Sequence, residues 1–453
     1  MTDLETRATP VANALRRAAP ALLGYAAVRA LGLLTLALWS AARDKSAYTL
    51  LTARWDSLWY TRVAELGYGY EVRLPNGDVH SNLAFFPLLP WLERGIAAVS
   101  PLSYADAGFA VSLVASLAAA WGIFAVADHV YGRRAGVCAV LVWAVLPVGV
   151  VQSMAYSESL FTALAAWSLY AVLTGRWVLA GTLASLAGLT RPVGLAVVAA
   201  VWAAAIASHL RDRAVPASPS SGRDRAATGA PSSERERSAA RAAGASAGER
   251  APEPAAASRH RRDGTPSSAR SSPHAPQPAT GTLAPRPPLL PRVVGMLIAP
   301  LGAAGYVLWV GRHTGKGPLG YLDVQAGWRN GFDGGYAFAR FVGEKFTSFP
   351  SALAGVGLIV GVGLVVWLYV IGVRQRQPLP LLVYAGVVTA LALCASSYFG
   401  SKPRLLLPAF PLLFPLALAL ARLRTSRSAL VVGGIAVASA VYGAFWLNGS
   451  GPP

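Results

Sequence analysis

The chain has 453 residues, 54% of them hydrophobic and only 13% charged, whereas a soluble domain carries roughly a quarter charged residues. This composition excludes an ordinary soluble domain and predicts helices that cross a bilayer, each of about 20 apolar residues. The formal net charge of +19 comes largely from arginines in short loops between apolar runs, as the positive-inside rule expects. We therefore predict that the protein contacts membrane lipids and does not bind nucleic acid.

The first predicted span runs from about Ala21 to Trp39 and follows an arginine-bearing tail that we place in the cytoplasm. Residues 41–100 are too charged at their start to span, and they are rich in the Trp and Tyr that favour the headgroup layer. We predict that they form an external loop with interfacial helices. This loop belongs to an N-terminal membrane region, residues 1–208.

Two further spans are predicted at Asp106–Val130 and Ala135–Val151. The motif Tyr156–Ser159 then falls outside, and the next predicted span runs to about Leu173. Residues 177–208 fit either one long helix or two short helices that meet near Thr190–Gly194. We favour two helices, because Pro192 has no backbone N–H to donate and because this topology puts the arginine-rich ends of the next segment in the cytoplasm.

Residues 209–288 consist mainly of Ala, Ser, Pro, Gly and Arg. Such a segment cannot bury enough apolar surface to offset its ordering entropy, so we predict a disordered cytoplasmic linker. A C-terminal membrane region follows at 289–453, with a second external loop at 311–350. Its predicted spans are Leu290–Val310, Ser351–Val373, Leu379–Tyr398, Leu405–Leu420 and Ala429–Leu447. The chain is thus predicted to be an all-α polytopic membrane protein with about eleven transmembrane helices.

A motif that could carry chemistry starts the first external loop, where Arg54, Trp55 and Asp56 precede Ser-Leu-Trp-Tyr. A carboxylate in a partly dry cleft can take the proton of an attacking hydroxyl, as sugar transfer requires. The alternative is an interfacial aromatic anchor with a solvated Asp. The motif alone leaves both interpretations open.

Other candidate residues are spread along the chain. Glu158, in Tyr-Ser-Glu-Ser, starts a span, where it could contact a substrate hydroxyl or face the positive end of its helix. Arg191, Lys402 and Arg404 are candidates to bind a phosphate, with contact to lipid headgroups as the alternative. His80 is a lone histidine in the first external loop, and it lies before Ala-Phe-Phe-Pro.

The order of these motifs resembles that of the PIG-V-like mannosyltransferases, the family that includes the enzyme adding the second mannose to GPI anchors. The matching elements are the Arg-Trp-Asp motif, Ala84–Pro87, Tyr156–Ser159 and the helix break at Arg191. The resemblance covers roughly the first 200 residues and implies a bacterial member with a GT-C fold. It also implies a polyprenyl- or dolichyl-phosphate-mannose donor, action on the non-cytoplasmic side, and Asp56 as catalytic base.

We therefore predict an inverting membrane glycosyltransferase in a bacterial plasma membrane. A lipid-linked sugar donor and an extracytoplasmic glycan, lipid or protein acceptor are its predicted partners. Asp56 is the predicted catalytic residue, and the predicted substrate-binding residues are Arg54, Trp55, His80, Glu158, Arg191, Lys402 and Arg404. No cofactor is predicted with certainty; a divalent cation could join Asp56 to Asp323 and Asp333, although ordinary loop acids are the simpler interpretation. The alternative function is a transporter or flippase of lipid-linked sugars, which would place polar residues within spans in both halves.

Overall fold

The computed structural model describes residues 10–214, 289–396 and 398–449. In this part of the chain the helices, in order, are α1 (Pro10–Ala41), α2 (Ala47–Thr52), α3 (Asp56–Leu66), α4 (Leu88–Val99), α5 (Tyr104–Tyr131), α6 (Arg133–Ala144), α7 (Ser157–Leu173), α8 (Trp177–Gly188), α9 (Leu195–Ala214), α10 (Leu289–Ile298), α11 (Leu301–His313), α12 (Gly320–Gly327), α13 (Tyr336–Glu344), α14 (Ser351–Arg374), α15 (Leu379–Cys394), α16 (Lys402–Leu405), α17 (Phe414–Arg422) and α18 (Thr425–Leu447). Short 3₁₀ helices lie at Asn82–Ala84, Gly149–Ser153, Pro192–Gly194, Lys345–Thr347, Phe399–Ser401 and Phe410–Leu413.

One small antiparallel hairpin stands among these helices, made of β1 (Glu71–Arg73) and β2 (Val79–Ser81). It lies within the predicted first external loop, together with α2, α3 and α4. This hairpin is the one β-sheet among the described residues. The all-α prediction is therefore confirmed.

Six helices of the described chain are long and apolar enough to cross a membrane: α1, α5, α9 with the turn before it, the α10–α11 pair, α14 and α18. Much of the apolar surface of α14 is exposed, which suits a lipid-facing helix. Three further apolar helices, α7, α8 and α15, are shorter. The chain is a polytopic membrane protein, while the total of about eleven spans stays a prediction.

Small residues let the central helices approach closely. The buried alanines of α5, α7 and α8 belong to one large apolar core. A Cβ added at Gly181 of α8 would clash with the backbone carbonyl of Gly295 in α10. Such contacts are typical of helices packed in lipid, where close van der Waals fit replaces the hydrophobic effect as the main attraction.

The predicted span at Ala135–Val151 is wrong in its second half, because α6 ends at Ala144 and the chain turns through a 3₁₀ helix. Arg29 of α1 ends this helix: its guanidinium is buried and donates to the carbonyl oxygens of Ala144 and Gly149. These carbonyls lie at the negative end of the helix dipole and have no partner within the helix. Backbone oxygens, and not an acid, are therefore the hydrogen-bond acceptors of this intramembrane arginine.

The predicted span at Leu405–Leu420 is also interrupted. The segment Phe399–Leu405 and the segment Phe410–Arg422 are bent by 77° relative to each other. Pro408 and Pro411 lie at the break, where they remove two backbone donors. The bend separates α16, which carries Lys402 and Arg404, from α17.

The predicted pair of helices within residues 177–208 is present, as α8 and α9 with a break at Thr190–Gly194. Helix α9 continues to Ala214, so residues 209–214 are helical and do not belong to the predicted linker. The remainder of that linker prediction, residues 215–288, lies outside the described residues.

Candidate active site

Asp56 is the first residue of α3, and the turn before it has an unusual backbone. Trp55 has φ +54°, a left-handed conformation that costs a non-glycine residue about 1–3 kcal/mol. The Ser57 hydroxyl stabilises this turn, because it donates to the Arg54 carbonyl at 2.6 Å and accepts from the Arg54 N–H at 3.1 Å. Strain of this kind often marks a functional position, and here it holds the Asp56 carboxylate at the start of a helix.

Glu158 lies in the first turn of α7, where its carboxylate faces the positive end of the helix dipole. Its side chain is only 1% exposed. Helices α7 and α3 are joined beside it by a hydrogen bond of 2.7 Å between the hydroxyls of Tyr60 and Ser157. The two candidate carboxylates therefore sit on helices that are fixed to each other.

Arg191 lies in the break between α8 and α9, where an extended backbone precedes the 3₁₀ turn at Pro192. Its guanidinium forms an ion pair with Glu158 and is 14% exposed. The proline ends the regular helix here, so the ion pair with Glu158 is made from the extended residue of the break. The helix break at Pro192 thus provides the position from which Arg191 contacts Glu158.

Arg404 joins the two carboxylates. Its Nη1 lies 2.9 Å from Asp56 Oδ2, and its Nε lies 3.3 Å from Glu158 Oε1. The guanidinium also lies over the Tyr156 ring, 5.0 Å from the ring centroid. Four predicted site residues, far apart in the sequence, therefore form one chain of contacts in the order Asp56, Arg404, Glu158 and Arg191. We call these four residues the ionic network.

The ionic network is closed at one end and accessible at the other. The Glu158 side chain is almost completely buried, whereas that of Asp56 is 26% exposed. Two positive and two negative side chains balance each other formally. The Nε and Nη1 of Arg404 and the Nη1 of Arg191 are nevertheless buried without a well-directed hydrogen bond in the described structure. These N–H groups could donate to the oxygens of an anion, to which guanidinium groups bind strongly.

Lys402 lies next to this network in sequence, but its ammonium group points elsewhere. It donates to the carbonyl oxygens of Ala392 at 2.8 Å and Ala395 at 2.7 Å, at the C-terminal end of α15. It also lies over the ring of Phe338. A cation at this end of a helix stabilises the unpaired carbonyls, so the structure uses Lys402 to anchor α15.

Arg54 and Trp55 stay beside Asp56 without joining the ion pairs of the network in the described structure. The Arg54 guanidinium covers the Trp55 ring at 4.2 Å and approaches the carbonyl of Leu447 at 3.5 Å. This stacking holds the exposed side of the strained turn against the end of α18. Both residues therefore shape the approach to Asp56.

His80, on β2, stacks on the indole of Trp328 with ring centroids 4.0 Å apart. Trp328 in turn contacts Trp59 and Phe85, so these rings form a cluster between the two predicted external loops. Burial lowers the pKa of His80 below its ordinary value. Its described contacts place His80 in this aromatic cluster and not in the ionic network.

Sequence reasoning missed Tyr60, Ser157 and Tyr156 as parts of the site. A signal existed for each: Tyr60 stands four residues after Asp56 on one helix face, and the other two flank Glu158 in the Tyr-Ser-Glu-Ser motif. The structure uses them to fix α3 to α7 and to support Arg404.

The acids considered for a divalent cation lie in other surroundings. Asp323 pairs with Lys316 at 3.8 Å, and both are exposed. The carboxylate oxygens of Asp333 accept the backbone N–H groups of Gly335 and Ala337. Among the described residues, no group of three or more His, Cys, Asp or Glu side chains could hold a metal ion.

A small hollow of about 20 Å³ lies between Pro403 and α18, and most of its lining is apolar. A second hollow of about 10 Å³ lies against Arg29, and the two share Val150 and Gly443. Together they form a narrow groove along α18 whose lining includes Pro403, the residue before Arg404. Neither hollow contains the four network residues in its lining, so the groove is adjacent to the charged site and separate from it.

Comparison with known proteins adds one family match. A model of the dolichyl-phosphate-mannose-protein mannosyltransferases matches residues 83–218. The match supports a membrane glycosyltransferase of the GT-C type. It implies a lipid-linked sugar donor, an acceptor and membrane lipids as partners. The matched segment contains Glu158 and Arg191, while Asp56 and Arg404 lie outside it.

No curated protein matches the chain significantly. The family match covers less than a third of the residues and concerns protein mannosyltransferases. The narrower resemblance to PIG-V-like enzymes, and a bacterial origin, therefore stay predictions. What the match and the apolar helices establish together is a multi-pass membrane protein with the features of a glycosyltransferase.

Proposed function

We propose that the protein transfers a sugar, mannose in the simplest case, from a polyprenyl-phosphate-linked donor to an acceptor hydroxyl on the extracytoplasmic side of a bacterial plasma membrane. The observation that carries this proposal is the ion pair between Asp56 and Arg404, which puts a partly exposed carboxylate against a buried guanidinium. A base and an anion-binding group at one place are what transfer from a sugar phosphate needs.

In the proposed reaction Asp56 takes the proton of the acceptor hydroxyl, whose oxygen attacks the anomeric carbon of the donor sugar. The bond between that carbon and the phosphate oxygen breaks as the new glycosidic bond forms on the opposite face. The configuration is therefore inverted, and polyprenyl phosphate leaves. Arg404 and Arg191 stabilise the negative charge that grows on the departing phosphate oxygen.

Glu158 receives a different role from the substrate contact that its sequence position suggested. A side chain that is 1% exposed offers almost no surface to a sugar. Its carboxylate instead approaches both guanidinium groups, Arg191 and Arg404. Glu158 is therefore proposed as a positioning residue that keeps the two arginines together although their like charges repel each other.

The apolar groove along α18 supports a lipid-linked donor in particular. Its lining includes Pro403, the residue before Arg404, and the prenyl chain of a donor held at Arg404 is proposed to lie along it, against Val148, Val150 and Gly443. A water-soluble nucleotide sugar would have no use for such a groove. The acceptor is proposed to be a glycan, a lipid or a protein on the same side of the membrane.

A transfer assay tests the proposal directly. Membranes with matched amounts of each variant would be given labelled polyprenyl-phosphate-mannose and membrane-derived acceptor. Asp56→Asn keeps the size of the side chain but removes its charge, and transfer should fall by about 10²–10⁴-fold. Asp78→Asn is the matched control, since Asp78 is a similarly exposed acid of the same loop, ion-paired with Arg329. Transfer by Asp56→Asn at the wild-type rate would overturn the assignment of the base.

A further inference from the structure

The ionic network has no surplus positive charge with which to receive a negatively charged donor. Asp56 and Glu158 together balance Arg404 and Arg191, and three of these four side chains are at least 86% buried. A phosphodiester that entered this arrangement unchanged would leave one negative charge uncompensated in a poorly solvated site. An uncompensated buried charge is strongly unfavourable. One of the two carboxylates must therefore give up its guanidinium contact when the donor binds.

The geometry selects Asp56 as that carboxylate. Arg404 is shared, with Nη1 towards Asp56 and Nε towards Glu158. Glu158 is 1% exposed, so water cannot replace an arginine that is separated from it. Its second partner, Arg191, also holds it in place. Asp56 is 26% exposed and can be hydrated after separation.

We propose that the donor phosphate exchanges with the Asp56 carboxylate at Arg404, so that donor binding itself releases the base. This inference rests on the proposed function and adds an order of events to it. Before the donor binds, Asp56 is engaged by Arg404 and is held away from an acceptor. When the phosphate occupies Arg404, Asp56 is free to accept the proton of the incoming hydroxyl. The donor therefore binds before a productive acceptor complex forms.

The exchange makes an unusual prediction for the base variant. If Asp56 and the phosphate compete for Arg404, removal of the Asp56 charge should strengthen binding of the phosphate. Binding of polyprenyl phosphate would be measured on the full-length protein purified in detergent, with the uncharged polyprenol as reference. Asp56→Asn should bind polyprenyl phosphate roughly 3–30-fold more tightly than wild type, a range between that of exposed and buried ion pairs. Binding of polyprenol should be unchanged.

Two controls separate this effect from a general change of charge. Asp78→Asn removes an acid of the same loop that pairs with Arg329 and not with Arg404. This change should leave the affinity for polyprenyl phosphate unchanged. In an Arg404→Ala background, the additional Asp56→Asn change should no longer strengthen binding, because the shared partner is absent. Should Asp56→Asn yield no folded protein, Asp56→Ser removes the same charge and allows the same comparison.

The outcomes distinguish the exchange from the proposed function. Unchanged or weaker binding of polyprenyl phosphate by the Asp56 variants, with wild-type binding intact, overturns the exchange and leaves the transferase proposal standing. Tighter binding that persists without Arg404 also overturns it. If wild type binds polyprenyl phosphate no better than polyprenol, the lipid-phosphate donor is wrong, and the exchange fails with it.

Discussion

Arg292 of α10 extends its Nη1 to within 2.6 Å of the Asp212 carboxylate in the last turn of α9. The Arg292 side chain is buried and lies over the Trp177 ring of α8. This ion pair joins the helix that ends at Ala214 to the helix that begins at Leu289. The end of α9 and the start of α10 therefore lie next to each other.

The first prediction follows from this contact: replacing Pro216–Pro276 with a short Gly/Ser spacer should leave membrane insertion and sugar transfer near normal. The two helix ends are already held together by Asp212 and Arg292, so a short connection can join them. Transfer activity per amount of inserted protein is the measurement. Loss of transfer at normal expression would mean that the replaced segment binds a component needed for the reaction.

A second prediction concerns topology. The arginine distribution predicts that the loop at 311–350 faces outwards and that residues 215–288 face the cytoplasm. In a variant without Cys138 and Cys394, an impermeant maleimide added to intact cells should label Ser348→Cys and not Ser220→Cys. Both positions should react after the cells are permeabilised. Labelling of Ser220→Cys in intact cells would contradict the predicted topology.

A third prediction concerns the hydrogen bond that fixes α3 to α7. Tyr60→Phe and Ser157→Ala each remove one partner of the 2.7 Å contact. The two changes should be coupled by about 0.5–1.5 kcal/mol in a double-mutant cycle of thermal unfolding. Transfer should slow in the single variants, because the helices that carry Asp56 and Glu158 are then no longer joined by this hydrogen bond. Additive effects on stability would show that the hydroxyls do not interact.

The fourth prediction uses a buried acid outside the site. Glu93 of α4 is fully buried, and neither carboxylate oxygen has a hydrogen-bond partner among the described residues. Burial raises its pKa from 4.5 to about 9. Between these values the folded protein keeps a proton that the unfolded chain has released. The free energy of unfolding should therefore fall as pH rises through this window, by at most about 1.4 kcal/mol per pH unit.

Glu93→Gln tests this pH dependence, because the amide is neutral throughout. The variant should lose the alkaline decline of the unfolding temperature between pH 5 and pH 9 and be more stable than wild type near pH 8. Glu65→Gln, at an exposed position of the neighbouring helix α3, should change neither. An unchanged slope in Glu93→Gln would show that the carboxyl is ionised in the folded protein.

The sequence alone determined the helical membrane class, since long apolar runs have no other way to satisfy their backbone groups in lipid. It also determined the break at Arg191, since Pro192 cannot donate within a helix. Pro147, three residues after Ala144, is a local stop signal for α6, but no local rule indicates which side chain binds the free carbonyls at that end. That side chain is Arg29, which lies more than a hundred residues earlier.

Only the tertiary structure decided which candidate residues meet. Lys402 and Arg404 are two positions apart and both cationic, yet one anchors the end of α15 while the other joins Asp56 to Glu158. Both lie in α16, and the partners of Arg404 come from helices that are far away in the sequence. Charge and residue type can be read from a sequence, but the partner that balances a buried charge is set by packing.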